Sequence, residues 1–291
     1  QLLINGLIAG SLAALIAGGL ALVYGVLGVF NLALGQLALI GGFSTWWFHN
    51  SLQLPLPLSI VLGLLVGAIV TWVSFEVAVG PFYRRHRFLP LVTNIALSMV
   101  LDALILLVFE ERPRSILRAS KHFFEIQGAR MSVEQLTLIA FTILFLGITA
   151  WMLHATPLGR KIRATVQHTD AARSLGISSA VLHRALFIVS GTLAAMGGIF
   201  IGIDQNLSPT LAFPLTIKAY AAVIAGGKDN VWGAVICAYA IAMIEQFAVG
   251  VPWWFGSYVS AGYQSSVALI VIIIILLLRP QGIFGRTSRT A

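Results

Sequence analysis

No Asp, Glu, Lys or Arg occurs among the first 75 residues, and Glu76 is the first formally charged side chain. A soluble domain carries about a quarter charged residues, and none hides so long an uncharged stretch without a very large partner. The stretch predicts successive membrane-spanning helices. The rest of the chain agrees: 58% of its 291 residues are apolar and 10% charged, with a mean hydropathy of +0.94. The 28 glycines suit transmembrane helices that approach closely. The first apolar stretch has neither a basic flank nor a cleavage site, so a cleaved signal peptide is not expected.

At about 20 residues per crossing, the length holds one membrane domain of roughly eight to ten spans. Apolar runs place the spans at 2–24, 25–49, 55–79, 89–109, 133–153, 181–203, 214–226, 231–250 and 258–278. The seventh is short. A re-entrant or broken segment there lowers the count and shifts the parity back into residues 1–49. The predicted fold is all-α and polytopic, with eight or nine transmembrane helices, a broken second helix and a cytoplasmic coupling loop. It forms one transmembrane domain over 1–291, with the loop at 154–184 and an extracytoplasmic segment at 110–132.

Charge sets the expected orientation. Loops 81–88, 154–184 and 227–230 and the tail 279–291 hold 12 of the 18 Lys and Arg residues, against two acids, Asp170 and Asp229. The positive-inside rule puts this side in the cytoplasm, which leaves nine crossings, an outside N-terminus and a cytoplasmic C-terminus. The net charge of +8 therefore reads as a topology signal, with no nucleic-acid partner.

The chain shows no catalytic residues and no metal cluster. The one cysteine, Cys237, lies in an apolar run and reads as packing. Neither Gly-x-Ser-x-Gly nor a phosphate-cradling Gly-x-x-x-x-Gly-Lys-[Ser/Thr] is present; Gly226-Gly227-Lys228-Asp229 fails the second pattern. His168 and His183 make no metal-spaced pair. The ionisable residues within spans are Glu76, Asp102, Lys218 and Glu245, and such positions lean functional because they are costly in lipid. Each also has a packing reading. Glu76 reads as an interface charge, Lys218 as a snorkelling side chain, and Asp102 as the partner of a helix-end or backbone donor. Glu245 faces either a pathway or a partner subunit.

Two segments stand out. In the first, three glycines, Asn31 and Gln36 interrupt an otherwise lipid-compatible helix over Gly25-Val26-Leu27-Gly28-Val29-Phe30-Asn31-Leu32-Ala33-Leu34-Gly35-Gln36. Broken helices are tolerated where they are buried or line a cavity, and transporters use them to touch substrate; close helix packing through glycine is the other reading. Asn31 and Gln36, with Asn94 on the fourth span, are the candidate pathway residues. In the second, loop 154–184 is helix-compatible. Pro157 opens one helix, Thr169 or Asp170 caps a second over 171–175, and Gly176 ends it. The result is a compact basic knob, suited to a groove on a soluble partner or to lying on anionic lipid.

At this loop the chain resembles the permease subunits of ATP-binding-cassette importers, in the branched-chain (hydrophobic) amino-acid uptake family. Asn5-Gly6, Tyr24-Gly25 and Asn31-Leu32-Ala33-Leu34-Gly35-Gln36 resemble the family's first block. Leu158-Gly159, Arg163-Ala164, Ala171-Ala172 and Leu175-Gly176-Ile177 resemble its coupling loop. Lys218-Ala219, Gly226-Gly227 and Gly233 resemble a later block, and Arg279-Pro280-Gln281-Gly282-Ile283-Phe284-Gly285 its ending. Leu34 and Gln36 stand where the family usually has His and Glu.

The resemblance implies alternating access in a bacterial inner (plasma) membrane, without a cofactor. It implies a second permease subunit (a related paralogue or a second copy), two cytoplasmic ABC ATPase subunits and an extracytoplasmic solute-binding protein. Arg163, Asp170, Ala171, Ala172, Leu175 and Gly176 are the coupling candidates. The expected solute is a branched-chain or hydrophobic amino acid or a related small molecule. The competing reading is a secondary transporter driven by an ion gradient, with Asp102 and Glu245 as its ion sites.

Overall fold

A computed structural model describes residues 1–83, 88–117, 123–126, 129–167, 169–227, 230–250, 264–279 and 281–285. Arg84, Arg85, Arg87, His168, Lys228, Asp229, Pro280, Arg286 and Arg289, and the predicted start of the last span, lie outside those residues.

Among the described residues, eleven α-helices follow one another: α1 (Leu2–Leu27), α2 (Leu34–Trp46), α3 (Leu56–Ser74), α4 (Leu89–Phe109), α5 (Val133–Ala155), α6 (Pro157–Gln167), α7 (Thr169–Ser174), α8 (Ser179–Asp204), α9 (Ala212–Gly226), α10 (Val231–Gly250) and α11 (Gln264–Leu278). A π turn, Trp47–Ser51, extends α2, and another, Phe75–Val79, extends α3. Among the described residues, seven helices are long and apolar enough to cross a membrane. They include Pro209–Gly226, so with its short 3-10 lead-in the seventh segment is long and apolar enough to cross.

Two kinds of apolar helix build the bundle. Residues along α1 and α8 are buried nearly all round, and the two pack against each other, with α10 and α9 closing on α1. Residues along α3, α4 and α5 are equally apolar but few of them are buried, as in lipid-facing helices. Small residues bring the inner helices together. A Cβ on Gly198 of α8 would fall on the carbonyl of Ala38 of α2, so the two backbones touch.

The second span is where expectation and structure differ in detail. Helix α1 runs on to Leu27 and ends at Gly28, in the left-handed region at φ +64°. Val29 still belongs to the apolar cluster that holds Ile162 of α6 and Leu182 of α8, whereas Ala33 already belongs to the one that holds Leu101, twelve residues into α4. Residues 28–33 therefore climb part of the bundle without helical bonding, and α2 begins in the interior. The break separates an irregular rise from a short helix, three residues later than the sequence placed the turn.

A feature absent from the sequence reading is a small hairpin. Strands β1 (Phe123–Ile126) and β2 (Ala129–Ser132) pair antiparallel, with Phe123 opposite Ser132. Ser132 and Gln135 form a reciprocal capping box that starts α5, and Gln135 Nε2 reaches on to Asp204 Oδ1 at 2.9 Å. The Gln1 side chain exchanges two hydrogen bonds with the backbone of Arg130, at 3.0 and 2.8 Å. Arg114 and Leu207 form an antiparallel bridge, and the Arg114 guanidinium lies 4.4 Å over the Trp46 ring. The described parts of segment 110–132 are thus pinned to the bundle end that carries the N-terminus.

Candidate translocation site

Helix α9 organises the polar interior because its two sides face different things. On one side, Thr216 Oγ1 accepts from the Gly35 N–H at 3.0 Å, satisfying a first-turn donor that α2 would otherwise leave open. A Cβ on Gly35 would collide with the carbonyl of Ala212, so only glycine permits this contact. One turn on, Tyr220 approaches Phe30 with ring centroids 5.7 Å apart, and Phe30 approaches Tyr24 at 4.6 Å. The irregular rise is held by these rings.

The three predicted pathway residues are all buried and all hold back one polar atom. Asn31 Oδ1 accepts from the Ala33 N–H at 3.2 Å, while its Nδ2 has no partner. Gln36 Nε2 donates to Asp102 Oδ2 at 3.0 Å, while its Oε1 has none. Asn94 Nδ2 donates to the Pro90 carbonyl at 2.7 Å, while its Oδ1 has none. The structure brings Gln36 to Asp102 and places Asn31 at the foot of the same break. Asn94 sits two turns from Asp102 along α4, bonded within its own helix. The Asp102 carboxylate lies beside the first turn of α2, where the helix dipole favours a negative charge.

Lys218, on the other side of α9, does not snorkel. Its Nζ lies 2.9 Å from Glu245 Oε2 of α10, with the lysine side chain 25% exposed and the glutamate 4%. The pair borders a cavity of about 290 Å³ between α1, α9, α10 and the end of α8. Sequence reasoning weighed Lys218 and Glu245 separately. The missed signal was depth: one lies six residues after the start of α9 and the other five before the end of α10, so the antiparallel spans hold opposite charges at matching heights.

The loop between α5 and α8 forms the knob. On α6, Gly159, Ile162 and Thr165 turn inward at three-residue spacing, while Arg160, Lys161 and Arg163 are exposed. Arg163 Nη1 donates to the carbonyl of Leu153 in the last turn of α5, folding α6 back against it. Helix α7 starts at Thr169, two residues before the expected helix. The Ile177 N–H bonds the Ala172 carbonyl at 3.1 Å across Gly176 at φ +79°, the long bond of a Schellman end. Ala172 is buried, whereas Ala171 is exposed and Leu175 is 80% exposed. Asp170 belongs to α7, and its side chain lies outside the described residues. At the same end Arg184 Nε pairs with Glu76 Oε1 at 2.5 Å, so Glu76 ties α3's extension to α8.

Several sequence motifs converge here too. The Ile283 N–H bonds the Ala225 carbonyl at 2.7 Å, and added Cβ atoms on Gly227 and Gly282 would press on each other's backbone segments. The ending Gln281-Gly282-Ile283-Phe284-Gly285 thus closes over the end of α9.

The family model described as "Branched-chain amino acid transport system / permease component" matches residues 2–277. A similar curated protein is the "High-affinity branched-chain amino acid transport system permease protein BraD" of Pseudomonas aeruginosa, 30% identical, with 98% of this chain and 95% of that protein covered. The corresponding LivH permease of Escherichia coli K12 is 26% identical over 98% and 95% of the two chains. The probable LivH of Methanocaldococcus jannaschii is also 26% identical, over 98% and 92%. Among solved structures, "PsaBC from Streptococcus pneumoniae in complex with Fab" superposes with a TM-score of 0.53 at 12% identity, covering 97% of this chain and 93% of that one. That likeness concerns the fold.

Proposed function

Because this chain belongs to the branched-chain amino acid transport system / permease component family, we propose that it is a permease subunit of an ATP-driven importer, conducting branched-chain or related hydrophobic amino acids across the inner membrane. It spans that membrane many times and works as one component of a larger importer. The observation that carries the mechanism is the α6–α7 knob, which presents a basic face and the nearly bare Leu175 beyond the end of the bundle.

The finer assignments follow from that knob. Its end faces the cytoplasm, as the distribution of Lys and Arg supports, and the hairpin end faces outward towards a solute-binding protein. Two ATPase subunits and a second permease, paralogous or identical, complete the assembly. ATP hydrolysis resides on the ATPases. Closure of the ATPases pushes the knob, and through α5 and α8 it reorients the inner helices between outward and inward access. Leu175 and Ala171 make the contact, Gly176 and Ala172 hold its shape, and Arg163 transmits it to α5. Asp170 lies on the same short helix. Asn31, Gln36 and Asn94, each with a free polar atom, line or gate the route. An ion-driven mechanism has less support, because its required acids already hold Gln36 and Lys218.

The test is uptake of labelled leucine by liposomes holding the complete complex. Accumulation that requires internal ATP and the loaded binding protein is expected. Exchange driven by an ion gradient with the purified chain alone would overturn the reading.

A further inference from the structure

The cavity beside Lys218 and Glu245 has the make-up of a site for a small zwitterion. Its walls are aliphatic, with Leu12, Ile16, Ile241 and Ala242 among them. At about 290 Å³ it falls just below the roughly 300–1,000 Å³ spanned by drug-sized ligand sites, a volume suited to a smaller molecule. Its polar groups are two opposite charges 2.9 Å apart, with Gln205 and Gln246 also on the lining. One of the two charges is incompletely satisfied. Glu245 Oε2 takes the lysine, but Oε1 is buried with no partner, on a side chain only 4% exposed. A buried carboxylate oxygen left open is costly, and a polar group kept in that state inside an apolar wall calls for a donor from outside the chain.

We propose that this cavity is an intramembrane site for an aliphatic α-amino acid. Its ammonium group donates to Glu245 Oε1, its carboxylate accepts from Lys218 Nζ, and its side chain lies against the aliphatic wall. Neither charge need lose its counter-charge when the ligand inserts, because the zwitterion supplies one of each sign. A solute bearing one charge alone leaves either Lys218 or Glu245 uncompensated, so the pair selects for both groups together. The residues bordering the cavity include Gln205, Leu211 and Pro214, near the hairpin end of α9, which is the entry side in the importer proposed above. This assignment rests on that reading for its solute and adds where in this chain the solute is held.

The experiment uses the complete importer in liposomes, with Cys237→Ala removing the native thiol and Ala242→Cys placing a reporter on the wall. Alkylation of that thiol by a small maleimide is followed with leucine, with 4-methylpentanoate (no amino group) or with 3-methylbutylamine (no carboxylate), and leucine uptake is measured in parallel. Leucine is expected to slow alkylation and the two single-charge analogues are not. Glu245→Gln is expected to lower leucine protection about tenfold or more, as loss of one charge-assisted hydrogen bond does, and a cooperative thermal transition of the ligand-free variant shows that it is folded although its ion pair with Lys218 is lost. A complex that imports leucine while leucine leaves the alkylation rate unchanged, or protects as well in Glu245→Gln, overturns the site and leaves the permease reading standing. A complex that imports no leucine and shows no protection overturns both.

Discussion

Gln36 and Asp102 meet side chain to side chain, with Gln36 Nε2 donating to Asp102 Oδ2 at 3.0 Å from the first turn of α2 to the C-terminal half of α4. Helix α4 is mostly exposed along its length, so this bond is one of its few polar attachments to the inner helices. Replacing Asp102 by Leu leaves the Gln36 amide without its acceptor at a cost of about 1–3 kcal/mol. Asp102→Asn keeps an acceptor and should recover most of that loss. The check is the melting temperature of the purified protein. If wild type, Asp102→Leu and Asp102→Asn melt together, the bond contributes nothing. Uptake by Asp102→Asn should persist, because an ATP-driven permease does not need a titrating acid there.

The contact between α2 and α8 tolerates no side chain at Gly198. Gly198→Leu should cost about 1–3 kcal/mol or more through overpacking and lower the yield of folded protein. Gly147, on α5, has nothing within 4 Å of an added Cβ. Gly147→Ala should stabilise its helix by roughly 0.5–1 kcal/mol. Thermal unfolding of the pair tests the geometry, and a Gly198→Leu protein as stable as Gly147→Ala would refute it.

At the knob, Leu175→Glu changes a side chain that touches little of its own chain. It should abolish stimulation of the ATPases by the loaded binding protein, with the permease still folded and assembled. Ala172→Trp should also uncouple, but by disrupting α7, because that side chain points inward. A cysteine at 175 that crosslinks to an ATPase subunit in the assembled complex would support the contact. Full stimulation in Leu175→Glu would rule out α7 as the coupling element.

Orientation is open to direct chemistry. In a Cys237→Ala background, Arg130→Cys should react with an impermeant maleimide applied to intact cells. Leu175→Cys should react only after the membrane is permeabilised. The opposite pattern would invert the assignment of both ends.

Much of the architecture is legible in the sequence. The bounds of α4 and α10 match the apolar runs at 89–109 and 231–250, because Pro, Gly or charge flanks both. The start of α2 was misplaced for a physical reason. Val29 and Phe30 in the irregular rise are as apolar as Val26 and Leu27 in the helix before it, and a buried segment without alternation carries no periodic signal. The hairpin was hidden in a segment read only for its polarity. The start of α7 was set two residues late, whereas Gly176 ending it was visible because the chemistry of a helix C-terminus is local. The Lys218–Glu245 pair was not, because each residue acquires its meaning from a helix that is remote in sequence, and a single chain shows depth but no neighbours.

The two sides of α9 have a consequence for movement. Thr216 and Tyr220 hold the broken segment, and Lys218, on the same short rod, holds Glu245. A rigid shaft cannot turn at one bearing and stay still at the other. Any rolling of α9 that loosens the Gly35 contact also drags Lys218 past its carboxylate, so the seal on one side and the latch on the other keep common time.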